Sequence, residues 1–453
     1  MLKKSIKIFL KRVLRNSFNL YFRKELYRKN MKKIYACAIL ALTLSISAFS
    51  QQTERCGHAR FMAEMEQKHP GYGEYRKQLD EEIARVAREG VQREDGETYR
   101  IPVVFHVVYR NDEQNVPDEK LFEQIDILNR DYGRLNEDTV NTRQEFLPVA
   151  ASTGIEFYFA EWDPQGNPTN GITRTETSTN SFWLSMTEMK STADGGKDAW
   201  DVNQYLNIWV CNMAIPILNT PFILGFATPP NGAPNWPDGS AAEQPQYDGV
   251  VLHYEVVGSI DNPDQTFASI SKGRTATHEV GHYLGLRHIW GDGDCTEDDG
   301  LSDTPEAAEA QQQTCDYSTN TCTDAANDLP DQIENYMDYT DENCMNMFTQ
   351  QQTAAMRYVV ENFRAGLLLS NSVVRNELEK IRIYPNPTDG LLNVKQEKQQ
   401  DSNSISVYST DGRKIMDVLA NNTSIDVSML LPGIYFLKVN QNSTHQFLKF
   451  IKN

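Results

Sequence analysis

At 453 residues, with 40% of them hydrophobic, the chain is long enough for two or three domains with cores of their own. Its net charge of −18 is unevenly spread: the first fifty residues hold twelve Lys/Arg and one acidic residue, net +11, which leaves −29 on the remainder. A body this acidic argues against nucleic-acid binding and suits a soluble, secreted protein with calcium loops.

Residues 31–50 read as a signal peptide: Met31-Lys-Lys is the charged start, 36–46 the apolar run, and Ala48-Phe49-Ser50 before Gln51 a small-residue cleavage site. The run is too short for a transmembrane helix and no stop-transfer pattern follows, so no membrane anchor is expected. Residues 1–30 are basic and unlike a domain, as expected if the start codon was set upstream of Met31. A propeptide is expected over 51–95. It holds Cys56 in Glu54-Arg-Cys-Gly57 and a charged helical run, Glu74 to Arg88, with arginines at 85, 88, 93 and 100 that could flank an activation cleavage.

Tyr99 to Tyr109 is β-branched and aromatic, hence a first strand, and 117–136 has helical periodicity with Leu121, Ile125, Leu128 and Tyr132 on one stripe. Further strands are expected at 155–160, 206–211 and 249–253. His106 and His253 fall in strands and read as packed residues rather than ligands. A last helix is expected near 350–367, then a linker at 371–380.

The chemistry is carried by His278-Glu-Val-Gly-His-Tyr-Leu-Gly-Leu-Arg-His288. Positions four apart share a helix face, so His278 and His282 can offer imidazole nitrogens to one zinc ion. His288 cannot follow on the same straight helix; Gly285 supplies the stop that swings it back. Three ligands leave a fourth zinc position for water, and Glu279 beside it is the candidate general base. A thiolate is also a good zinc ligand, so Cys56 could fill that position before activation. A disulfide to Cys211, or no role, are the other readings of Cys56. The loop 292–303 is rich in hard oxygen donors, which suits calcium; a solvated acidic loop is the alternative.

Taken with Arg274-Thr-Ala-Thr before it, Ser302-Asp-Thr-Pro305, Asn335-Tyr-Met-Asp-Tyr339 and Cys344-Met-Asn-Met-Phe-Thr349, this segment resembles the pappalysin (cytophagalysin) branch of the metzincin metalloproteases. The resemblance implies an α/β catalytic domain over 96–370: a twisted, mostly parallel sheet, an active-site helix and a loop-rich C-terminal subdomain. It implies a Met-turn at Met337, and Tyr339 as a residue that approaches the zinc and steadies the tetrahedral intermediate, against a plain core tyrosine. Bridges Cys295–Cys322 and Cys315–Cys344 are implied, as is structural Ca2+ on Asp299 and Thr304 with Asp303 behind. The Arg-Cys-Gly string resembles the cysteine switch of metzincin zymogens. Some pappalysins prefer Arg or Lys after the scissile bond, and Asp341 and Glu342 could charge such a pocket.

Beyond the linker, 381–390, 405–414 and 431–439 are short alternating strands between Gly/Asp/Pro turns, a small all-β sandwich over 381–453. Tyr384-Pro-Asn-Pro and Gly433-Ile-Tyr-Phe-Leu-Lys-Val resemble the C-terminal sorting domain of the type IX (Por) secretion system, which implies that machinery as a partner and a secreted or cell-surface destination. The expected function is a zinc metalloendopeptidase acting on proteins or peptides, made as a zymogen; the alternative is a secreted, non-catalytic binding protein with a structural zinc.

Overall fold

The computed structural model describes residues 53–90, 98–216, 220–230, 245–261, 263, 267–323, 328–369, 382–395, 404–409, 414–418, 424–441 and 444–453. The expected signal peptide, Arg93 and the linker lie outside the described residues.

Two helices come first, α1 (His58–Lys68) and α2 (Tyr72–Glu89). Strand β1 (Tyr99–Tyr109) is followed by α3 (Asp118–Tyr132), whose Leu121, Ile125, Leu128 and Tyr132 are buried as the stripe predicts. Next come β2 (Ile155–Phe159), β3 (Ile172–Glu176), β4 (Leu206–Cys211), β5 (Gly225–Ala227) and β6 (Val250–His253). β1 pairs in parallel with β2 along its first half and with β3 along its second, while its other edge pairs with β4. β6 lies parallel beyond β4, and β5 closes the sheet as an antiparallel edge. The sheet is thus mostly parallel, and β1 and β4 carry the near-continuous apolar runs that burial on both faces demands.

Helices α4 (Arg274–Tyr283) and α5 (Gln350–Phe363) complete the core, α5 opening on a Thr349/Gln352 capping box. Every residue of α4 is buried. Helix α2 is not an appendage: Leu79, Ile83, Ala84 and Ala87 are 2–5% exposed and belong to the same core cluster as Val280, Leu286 and Val359. Phe61, Met65 and Tyr72 of the N-terminal segment belong to a second cluster on the other side of the sheet, with Met186, Trp209, Ile223 and Phe226.

In the C-terminal part, strands β7 (Arg382–Tyr384), β8 (Leu391–Lys395) and β11 (Ser424–Asp426) form one antiparallel sheet. β9 (Ser404–Ser409), β10 (Lys414–Val418), β12 (Gly433–Gln441) and β13 (Thr444–Lys452) form another. Leu392, Val394, Val407, Ile425, Leu437 and Phe450 make a core of their own.

Candidate active site

Helix α4 presents His278 and His282 on one face, and then the chain stops. Gly285 takes φ +94, the left-handed conformation that lets Leu286 N donate back to Gly281 O. His288 therefore returns: the Nε2 atoms lie 3.1 Å apart for His278 and His282, 3.0 Å for His282 and His288, and 3.3 Å for His278 and His288. The other nitrogen of each ring is held. His278 Nδ1 donates to Tyr336 O at 2.7 Å, His282 Nδ1 to Leu286 O at 2.8 Å and His288 Nδ1 to Asp292 Oδ1 at 2.5 Å. Those bonds fix the Nδ1–H tautomer and leave three Nε2 lone pairs aimed at one point. Burial and the neighbouring imidazoles hold His278 and His282 well below the usual histidine range. Three facing acceptors cannot satisfy one another, so the donor set fits a cation. Cys56 Sγ joins the same cluster: these four ligand atoms all lie within 4.8 Å of one another.

Glu279 is fully buried beside this point. Burial pushes its carboxyl up to about 8, against the opposing influence of Cys56 and Arg55, and Oε1 lacks a hydrogen-bond partner. The Met337 side chain packs against the helix; a Cβ on Gly281 would sit 2.5 Å from its sulfur, so a larger residue there would require Met337 to shift. Tyr339 Oη lies 3.2 Å from His288 Nε2, and its ring packs edge-on against His288 and Trp290.

Behind the helix, Asp131 on α3 is 3% exposed. It accepts from Thr277 Oγ1 at 2.8 Å and from Tyr336 Oη at 2.9 Å and pairs with Arg274, joining α4 to the 335–339 turn, where the Tyr336 carbonyl holds His278. This tie was not read from the sequence, where Asp131 is one acid among many.

The N-terminal segment enters the cleft. Glu54 N donates to Phe222 O, Leu224 N to Glu54 O and Gly57 N to Gly225 O, so residues 54–57 run along the 222–225 edge. Arg55 points instead to the 339–342 wall, donating to Tyr339 O and Thr340 O and pairing with Glu342, with both partners of the pair buried. Glu342 also accepts from Lys272 N at 2.6 Å. Asp341 does not join it; its carboxylate caps the turn at Asn343 N. His58 stacks on His282 with ring centroids 4.4 Å apart and is held at about 3 by burial and by His288. The Arg-Cys-Gly string carried the only signal for Arg55, and for His58 there was none.

Cys295 is bonded to Cys322 and Cys315 to Cys344, while Cys56 and Cys211 are both free and buried, so the Cys56–Cys211 bridge does not form. Thr304 Oγ1 donates to Asp299 Oδ1 at 2.7 Å; Asp299 Oδ2 is buried without a partner, and burial pushes this carboxyl up to about 8. Asp303 is engaged otherwise: its oxygens accept from Thr349 Oγ1 and Gln351 N at the start of α5. His106 bonds Thr173 and Asn207, and His253 bonds Met213 N and Glu255, both as packed strand residues.

Residues 190–361 match the family model described as pregnancy-associated plasma protein-A, and residues 382–453 match that of the secretion system C-terminal sorting domain. The chain is 37% identical to a promirolysin mutant of Tannerella forsythia, covering 70% of this chain and 99% of that one at a TM-score of 0.59. It is 40% identical to mature mirolysin of the same organism in complex with a cleaved peptide, covering 62% and 99% at a TM-score of 0.54. An extracellular metalloprotease of Arthroderma benhamiae is 28% identical over 274 residues, 59% of this chain and 74% of its relative. The chain thus belongs to the pappalysin family of metzincin metalloproteases, as a secreted or cell-surface metalloendopeptidase whose catalytic domain is followed by a C-terminal secretion sorting domain.

Proposed function

We propose that the metal is zinc, held by His278, His282 and His288, and that the chain is a zymogen in which residues 51–95 block the site. The observation that carries this is the convergence of three tautomer-fixed Nε2 atoms with a buried carboxylate and a thiol from a separate segment. A structural zinc normally has four ligands from the stable fold, whereas the fourth donor here lies in the segment read as removable. Zinc in this position supplies Lewis acidity to a water and to the scissile carbonyl.

Glu279 then takes a proton from the attacking water and passes it to the leaving nitrogen, the role its buried position beside the cluster supports. The Tyr339 hydroxyl, already at His288, donates to the developing oxyanion. Met337 packs beneath the ligands, and Asp131 and Asp292 hold their backbone and ring orientations. Before activation the Cys56 thiolate excludes the water. Burial and Glu279 push this thiol up, and a bound divalent cation reverses that preference.

The Arg55–Glu342 pair supports a preference for a basic residue after the scissile bond, with Glu342 as the pocket's charge. Asp299 and Thr304 are the ligands proposed for Ca2+, on the strength of the unpartnered Oδ2. The C-terminal sandwich is proposed to hand the protein to the type IX machinery for export.

The test is metal-dependent proteolysis. Processed protein should contain one zinc per chain and digest casein; a zinc chelator should stop digestion and added zinc should restore it. Digestion that continues after the metal is stripped refutes the proposal.

A further inference from the structure

The prosegment meets the cleft on two surfaces, and Arg55 accounts for one of them. The other is the 222–226 wall, which Glu54 meets through its backbone and Gly57 approaches most closely. A Cβ on Gly57 would lie 2.9 Å from Ile223 Cδ1, 3.0 Å from Met186 Cε and 3.1 Å from Phe226 Cβ, so this wall comes up to the prosegment backbone itself. Phe61, fully buried, stacks on Phe226 with centroids 6.4 Å apart. Glu64 pins the helix in place by accepting from Met186 N and Ser185 Oγ, both at 3.0 Å. Beside the wall, Trp183 and Leu184 are already 42% and 72% exposed. Loss of residues 51–95 would bare Met186, Ile223 and Phe226 as an apolar patch beside the histidine cluster, which water covers poorly.

We infer that this patch is, in the processed enzyme, a binding subsite for an apolar side chain of the peptide substrate. The inference rests on the zymogen reading above. Arg55 and Gly57 flank Cys56, so a peptide in the same groove with one residue at Glu342 has a residue on the other side of the metal against Ile223 and Met186. With the basic residue C-terminal to the scissile bond, the apolar one is N-terminal to it. Aromatic and long aliphatic side chains fit, because the three groups nearest Gly57 are apolar and the unbranched Met186 can reshape around them.

The experiment has two arms. First, a peptide of residues 54–68 and its Phe61→Ser form are titrated into processed Glu279→Ala protein by fluorescence anisotropy. The serine form should bind at least about tenfold more weakly. Second, processed wild type is given quenched peptides that differ only at the residues preceding the scissile bond, with Phe, Leu or Met against Ser. One of these positions should show kcat/KM higher by about 10- to 100-fold for the apolar series. Met186→Ser should shrink that ratio and Met186→Leu should retain it. Each ratio compares two peptides on one enzyme, so a partly misfolded variant does not imitate the effect. Equal binding by both forms of the 54–68 peptide, or a ratio unmoved in Met186→Ser, overturns the inference. Phe61-dependent binding without cleavage of any peptide would instead overturn the proteolytic reading and leave the apolar surface standing.

Discussion

The Cys56 thiol lies 3.5 Å from Glu279 Oε2 while belonging to the same cluster as the three histidine ligands. On the proposed reading one residue would stand on both the metal and the base, so no water would be activated while it is there. Cys56→Ala precursor should self-process with a markedly shorter lag, followed on gels over time. With cobalt in place of zinc, the precursor should show a thiolate charge-transfer band that Cys56→Ala lacks. An unchanged lag and an unchanged spectrum would remove Cys56 from the latency device.

Arg55 is the second anchor. Breaking a buried ion pair leaves an uncompensated charge, at a cost of about 3–5 kcal/mol, so Arg55→Ala should loosen the prosegment as strongly as the cysteine change does. In the processed enzyme, Glu342→Gln should cut the kcat/KM advantage of peptides with Arg or Lys after the scissile bond over those with Gln by about tenfold or more. A preference identical to wild type would place the specificity charge elsewhere.

Asp299 Oδ2 is buried and unpartnered, so a cation bound there replaces a missing interaction. Calcium at about a hundred times its Kd should stabilise the protein by roughly 2.7 kcal/mol, visible as a higher Tm in a Glu279→Ala background that prevents autolysis. Asp299→Asn should abolish the response. If the two proteins respond alike to calcium, the ion sits elsewhere.

Lys190 tests the core rather than the site. Its Nζ is buried, donating to Tyr247 O at 2.7 Å and Thr228 Oγ1 at 3.0 Å, and burial lowers it from about 10.5 to about 7. Between those values the unfolded chain holds a proton that the folded one does not, so stability should rise with pH across that window and level off below it. The Tm difference between wild type and Lys190→Met should therefore move in favour of wild type from pH ~7 to ~10. A difference that stays flat means the ammonium is retained inside.

The convergence of His278, His282 and His288 was legible because eleven consecutive residues encode it: helix spacing and one glycine suffice to bring three imidazoles together. The strands at 99–109 and 206–211 were legible for the same reason, as local patterns. Strand β5 was not, since three residues beginning with glycine carry no alternation, and its pairing is made by β6. Arg55 and Glu342 are 287 residues apart and Asp131 and Tyr336 are 205 apart, so their pairing exists only once the chain has folded. Helix α2 reads as a charged helical run of the propeptide, yet its Leu79, Ile83, Ala84 and Ala87 complete the main core; amphipathicity shows that a face is buried but not against what.

Peptide hydrolysis by processed Glu279→Gln, measured beside wild type at equal zinc content, tests the central claim most directly. With Glu279 as the base, zinc should stay at one per chain while kcat falls by about 10²- to 10⁴-fold. A variant that keeps its zinc and turns over peptide at the wild-type rate would contradict it.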